Sequence, residues 1–458
     1  TVPMPGVSAH HMRRVRFMGE QALHALAPSN FAWSNPVVAD SMGRSNGLCL
    51  AEGVWNFADD ISRAFTGRRF FGAEDFDLGR NLAVTPGQIV LRNELMELIQ
   101  YGPATASVRR EPILIVPAWI MKYYVLDLSP ANSLVKFLVD QGFTVFCISW
   151  KNPSAQDRDL ELDDYRRQGV LAALDAVNTI APGPVHLAGY CLGGTLAALS
   201  AAAMARKKPA RLATLSLLAA QTDFSEAGEL MMFTDESQIA ALEDVMETQG
   251  YLDARQMAGA FYALRANDML WTRIVERYLL GIRRPACDLD AWLADATRMP
   301  ARMHSQYLRW LFLENRLAQG NYVIDGDAIS LKDIRAPIFG VGAERDHIAP
   351  WRSVLKIALF ATAGTTFVLS GGGHNSAIVS PRGKPGAYYR VGFAGDCSDY
   401  LGPEEWTATA SKRDGSWWPE WTQWLVSLSS QDGTAPPSIG APHFPPLGDA
   451  PGTYVREA

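Results

Sequence analysis

Three side chains in this 458-residue sequence have the types and the chain order of a nucleophile, an acid and a base: Cys191, Asp346 and His374. Cys191 sits in GYCLGG (189–194), after the apolar run VHLA (185–188) and before the small-residue stretch TLAALSAAAMA (195–205). Strand, glycine-cornered turn, then helix is the form of a nucleophile elbow, whose flanks must be small because the helix starts directly beneath the strand end. The turn sets Cys191 near a helix N-terminus, where free N–H groups and the positive end of the dipole favour an anionic sulfur. The Leu192 N–H would face a developing oxyanion. The competing reading is a tight packing turn around an inert cysteine. Chain order argues against it: Asp346 follows the strand-like PIFGVGA (337–343) and His374 follows TTFVLS (365–370). Nucleophile, acid, histidine is the order found with such elbows, and a parallel sheet delivers all three loops to its carboxyl edge.

The elements that must hold these residues are legible as short, β-branched, almost unalternating runs. ILIVP (113–117), FTVFCIS (143–149), VHLAG (185–189), ATLSLLAA (213–220), PIFGVGA and TTFVLS have the pattern of strands buried on both faces. Helical patterns between them, such as SLVKFLVDQG (133–142) and GVLAALDAVNTI (169–180), give the alternation of an α/β fold with a mainly parallel sheet. Residues 1–108 read as a helical and irregular N-terminal region, with NELMELIQY (93–101) at helical spacing. Residues 109–222 and 334–430 read as two parts of one core. Between them, 223–333 reads as a helical cap insertion without a convincing strand, placed to act as a lid. The proline-rich tail 431–458 is expected to lie extended on the surface.

Composition narrows the function classes. The chain is 48% hydrophobic and 20% charged with a formal net charge of −6, which fits a globular enzyme and argues against a nucleic-acid partner. The basic cluster Arg206-Lys207-Lys208 reads as the solvated end of a helix. The five cysteines (Cys49, Cys147, Cys191, Cys287, Cys397) are scattered and form no CxxC pair, as expected of reduced thiols. No apolar run is long enough to span a bilayer and no signal-like start appears; because the chain opens at Thr1, a truncated N-terminus is expected. No cluster has metal-ligand spacing, so no metal is expected. Of the other histidines, His186 reads as a packed core residue. His347 reads as a neighbour that tunes Asp346 or shapes its loop, and His304 as facing the site or merely capping a contact. His10, His11, His24 and His443 are unassigned.

Many stretches together resemble the polyhydroxyalkanoate synthases, poly(3-hydroxybutyrate) polymerases, most closely the single-subunit class. They include HALAPSNF (24–31), GRNLAVTPG (79–87), ELIQYGP (97–103), LIVPAWIMKYYVLDLSPANSLV (114–135), GYCLGGTL (189–196) and DFSEAGEL (223–230). LRANDMLW (264–271), TRMPARMHSQYL (297–308), DHIAPWRSV (346–354), FVLSGGGH (367–374) and GSWWPEW (415–421) complete the likeness, which runs from about His24 to the C-terminal part. The resemblance implies an α/β-hydrolase fold with a helical lid, and it places the family's catalytic cysteine, aspartate and histidine on Cys191, Asp346 and His374. It implies an oxyanion site completed by the segment Trp119-Ile120-Met121, with the Ile120 N–H beside that of Leu192. Two departures fall here: family members usually carry Asn at Met121, and Ile-Ala-Gly where this chain has Asn375-Ser376-Ala377.

The implied reaction is polymerisation of (R)-3-hydroxyacyl-CoA, with 3-hydroxybutyryl-CoA the expected monomer, through an acyl thioester on Cys191. CoA is carried by the substrate and no cofactor is implied. Trp119, Met121, His347 and Asn375 are substrate-pocket candidates, and Arg265 and Arg298 candidates for the CoA phosphates. The tryptophans Trp417, Trp418, Trp421 and Trp424 read as core packing or, alternatively, as a polymer-facing surface. The family pattern further implies a homodimer, cytoplasmic and at the surface of polymer granules. The rival readings are a cysteine esterase or thioesterase of the same fold, and an inactive granule-binding homologue.

Overall fold

The computed structural model describes residues 6, 8–205, 211–257, 259 and 270–457; the cluster at 206–208 and Arg265 lie outside them. The chain divides into two compact units, Thr1–Asp77 with Ala254–Ala291, and Leu78–Asp253 with Trp292–Ala458. In the first, helices Ala9–Ala25, Pro36–Ser45 and Leu48–Thr66 accompany the helical turn Val275–Leu279. Asn35 caps the second helix by accepting the N–H groups of Val37 and Val38. Gly53 of the third lies so close to Tyr278 that a Cβ there would stand 2.0 Å from its carbonyl oxygen. The interval 223–333 is therefore divided between units: 254–291 cluster with the N-terminal helices, unlike the single insertion expected.

The second unit is built on one sheet of eleven strands. They are β1 (Gly87–Arg92), β2 (Met96–Tyr101), β3 (Ile113–Val116), β4 (Val145–Trp150), β5 (Val185–Tyr190) and β6 (Leu212–Leu218). Then follow β7 (Ile338–Ala343), β8 (Thr365–Ser370), β9 (Tyr388–Phe393), β10 (Ser411–Asp414) and β11 (Gly448–Asp449). Their spatial order is β10-β9-β8-β7-β6-β5-β3-β4-β2-β1-β11. The block from β8 to β4 is parallel throughout, and antiparallel strands extend it on both sides. Every residue of β3, β4, β5 and β7 is buried, which is why their sequences run apolar rather than alternating. Helix Leu192–Ala205 is almost wholly buried too, as a helix apolar on all sides must be.

Three features differ from expectation. Met96–Tyr101, read as helical, is the fully buried strand β2. The interval 223–333 contains strand pairs after all: Tyr251–Leu252 with Met299–Pro300, and Tyr322–Ile324 with Asp327–Ile329. The tail does not simply lie on the surface. It supplies β11 beside β1 and buries Val455, and the buried carboxylate of Glu97 in β2 accepts the N–H groups of Thr453 and Tyr454 at 2.9 and 3.1 Å.

Candidate active site

The sequence around Cys191 folds into a corner that only glycine can close. A Cβ on Gly189 would stand 2.3 Å from Gly194 Cα, one on Gly193 2.0 Å from the Val116 carbonyl oxygen, and one on Gly194 2.3 Å from Ala220 Cβ. Cys191 itself has φ 52°, in the left-handed region, at a cost on the order of 1 kcal/mol for an L-residue. The conformation is held by the Cys191 N–H donating to Leu218 O and its carbonyl accepting from the Gly194 N–H, both at 2.9 Å. The sulfur stands at the end of β5 on a partly exposed residue. Leu192 is the first residue of its helix, so its N–H has no acceptor within the helix. Gly193 packs closely on the backbone of Val116 and Pro117, where the loop carrying Trp119, Ile120 and Met121 leaves β3.

Asp346 and His374 leave the carboxyl ends of the parallel neighbours β7 and β8. His374 Nδ1 lies 2.7 Å from Asp346 Oδ2. The other carboxylate oxygen accepts the N–H groups of Ile348 and Ala349, each at 2.9 Å, so the acid is fixed from both sides. Burial alone would lower the pKa of His374; the charges of Asp346 and Cys191, with hydrogen bonds donated to both by the imidazole, outweigh it and hold the imidazole well above its ordinary value. With Nδ1 on Asp346, Nε2 is the nitrogen left for the sulfur. The structure thus brings together Cys191, Asp346 and His374, as their order in the chain predicts.

The supporting residues were largely invisible in the sequence. The helix His374–Ile378 exposes its C-terminal carbonyls, and indole N–H groups meet them: Trp417 Nε1 donates to Ala377 O at 2.8 Å and Trp418 Nε1 to Ile378 O at 3.0 Å. Lys384 Nζ donates to Ser376 O and Val379 O. Trp417, Trp418 and Trp421 are buried, so these three tryptophans are core and not a polymer-facing surface. Gln221 ties the elbow to the acid loop: its carbonyl accepts from Thr195 Oγ1 and its Nε2 donates to Ile348 O. The ring of Tyr190 packs against His374 at 5.6 Å between centroids, and its hydroxyl donates to Asn375 Oδ1.

The remaining candidates are distributed as follows. Trp119 is buried against Tyr165 and Trp150, and Met121 forms an isolated antiparallel bridge with Ala296. His347 gives its carbonyl to the Glu229 N–H, which shapes the acid loop. The Arg298 guanidinium lies over the Tyr251 ring and donates to Pro153 O. His186 is a neutral core residue between Thr214 and Ser429, its pKa lowered by burial to about 4. His304 is likewise buried, with its pKa lowered to about 4, and it neighbours Tyr307 at 6.2 Å between ring centroids. Burial, with a smaller contribution from the charge of Cys191, raises the pKa of Tyr307. Its signals in the sequence were the stretch TRMPARMHSQYL (297–308) and helical spacing from His304. Among the described residues no helix is long and apolar enough to cross a membrane.

A family model described as the N-terminus of poly-beta-hydroxybutyrate polymerase (PhaC) matches residues 2–138, and one described as the alpha/beta hydrolase fold matches residues 111–381. A poly(3-hydroxyalkanoate) polymerase from Methylorubrum extorquens is 41% identical, over 98% of this chain and 74% of the relative. Poly(3-hydroxyalkanoate) polymerase subunits PhaC from Rhizobium etli and Cupriavidus necator are 38% and 34% identical, over 99% and 97% of this chain and 71% and 76% of theirs. The sheet order, the elbow and this near full-length identity agree: the chain belongs to the poly(3-hydroxyalkanoate) polymerase family and has the α/β-hydrolase fold.

Proposed function

We propose that the protein polymerises (R)-3-hydroxyacyl-CoA, with 3-hydroxybutyryl-CoA as the monomer, and carries the growing acyl group as a thioester on Cys191. The observation that carries this reading is a thiol, rather than a hydroxyl, at the tip of an elbow facing a buried His374–Asp346 pair. The Cys191 sulfur attacks the substrate carbonyl, a new C–S bond forms, and the bond to CoA sulfur breaks as CoA leaves with a proton. One thioester replaces another, so the acyl group stays activated. A 3-hydroxyl of another acyl unit then attacks, its proton passes to His374 Nε2, and the Cys191 sulfur is released for the next cycle. The N–H groups of Leu192 and Ile120 are assigned to the oxyanion, and Asp346 to orienting His374 and stabilising its charge. The helical segment bearing His304 and Tyr307 is assigned to excluding water, which would otherwise hydrolyse the acyl enzyme.

The test is product analysis with 3-hydroxybutyryl-CoA. Pelletable polyester formed with stoichiometric CoA release supports the polymerase; free 3-hydroxybutyrate would instead mark a thioesterase, and no CoA release an inactive homologue. A homodimer in the cytoplasm, at the granule surface, completes the proposal. The exposed Val54, Trp55 and Phe65 on helix Leu48–Thr66 support association with an apolar polymer, read out as co-sedimentation with polyester particles.

A further inference from the structure

The Trp119–Met121 loop is fixed by a second segment, Ala296–Arg298, that the proposed chemistry does not use. Thr297, 2% exposed, holds two successive carbonyls of the loop: its Oγ1 donates to Trp119 O at 2.5 Å and its N–H donates to Ile120 O at 3.4 Å. Met121 bridges Ala296 alongside. The segment is itself anchored, because the Arg298 N–H donates to Asn152 Oδ1 at 2.9 Å and the Asn152 N–H donates to Glu457 Oε2 at 3.1 Å. On the loop side, Lys122 Nζ donates to Glu457 O at 2.5 Å and Trp292 Nε1 to Lys122 O at 2.8 Å.

A trans peptide is planar, with its C=O and its N–H pointing in opposite directions. The carbonyl of Trp119 and the N–H of Ile120 belong to the same peptide plane. Fixing that carbonyl on Thr297 therefore directs the Ile120 N–H away from Thr297, on the opposite side of the plane. We infer that Thr297 is a positioning residue for the oxyanion site, aiming the Ile120 N–H by holding the carbonyl of Trp119. The inference rests on the proposed reading of Cys191 as the nucleophile. Thr297 never touches the acyl group; it acts through the rigid plane between residues 119 and 120. A donor that must meet an oxyanion gains from being held before charge develops, and a backbone loop has no side-chain rotamer of its own to hold it.

The test uses the full chain with Thr297→Val, which keeps the shape and removes the hydroxyl, and Thr297→Ser, which restores it. Two rates are measured at Cys191: acylation by 3-hydroxybutyryl-CoA, followed by intact mass, and alkylation by iodoacetamide, a displacement that forms no oxyanion. Thr297→Val is expected to slow saturated acylation about 10²-fold while the half-saturating concentration and the alkylation rate stay unchanged. Thr297→Ser is expected to recover most of the loss. Acylation at the unsubstituted rate in Thr297→Val would overturn the inference, as would parallel loss of acylation and alkylation or failure of Thr297→Ser to recover. Absence of acylation in the unsubstituted protein would overturn the proposed function instead, and the inference with it.

Discussion

The hydroxyl of Tyr190, the residue before the cysteine, donates to Oδ1 of Asn375, the residue after the histidine, at 2.5 Å. This bond joins the end of β5 to the start of helix His374–Ile378, and it gives a role to a residue that departs from the family pattern. Asn375→Leu leaves the buried Tyr190 hydroxyl without its partner, a cost of about 1–3 kcal/mol. Tyr190→Phe removes the hydroxyl itself and costs about 1 kcal/mol. The double variant Tyr190→Phe/Asn375→Leu should be more stable than Asn375→Leu alone in urea unfolding. Simple addition of the two losses would show that the bond does not couple them.

The left-handed backbone of Cys191 makes a second prediction. Cys191→Ala and Cys191→Gly both remove the sulfur and should both lose CoA release. Glycine adopts φ 52° freely, whereas alanine keeps the strain, so Cys191→Gly should exceed Cys191→Ala in unfolding free energy by about 1 kcal/mol. Equal stabilities would mean that the corner is not strained.

The charge of Asp346 raises the pKa of His374, and in the proposed mechanism elongation needs the neutral imidazole to accept a proton. The elongation rate should therefore rise with pH as His374 loses its proton. Asp346→Asn removes a cause that raises the pKa, so this limb should move to lower pH while the plateau rate falls. A pH–rate profile of polymer growth on pre-acylated enzyme measures it; a limb that stays in place would separate Asp346 from His374 in function.

The sequence made the parallel block legible because β3, β4, β5 and β7 are buried on both faces, and such strands cannot alternate. It misled at β2 for a physical reason. Glu97 and Gln100 break the apolar run, yet both are buried in the strand. Apart from Arg92, which pairs with Glu97 across the hairpin, their partners lie more than 300 residues away, on Thr453 and Tyr454 for Glu97 and on Ser438 and Gly440 for Gln100. No local window contains those partners, so the pattern reads as helix and the tail as surface. The triad was legible because chain order and strand ends are local signals. Its supports, Trp417, Trp418, Lys384 and Thr297, act on backbone carbonyls, and a carbonyl leaves no mark in a sequence.

The central claim is that Cys191 carries the acyl group. The direct measurement is intact and peptide mass spectrometry after rapid quenching of the protein with 3-hydroxybutyryl-CoA. A 3-hydroxybutyryl or oligomeric adduct on the peptide containing Cys191, absent from Cys191→Ala and decaying as polymer forms, is the predicted result. Polymer formation by Cys191→Ala, or an adduct confined to Cys49, Cys147, Cys287 or Cys397, would contradict it.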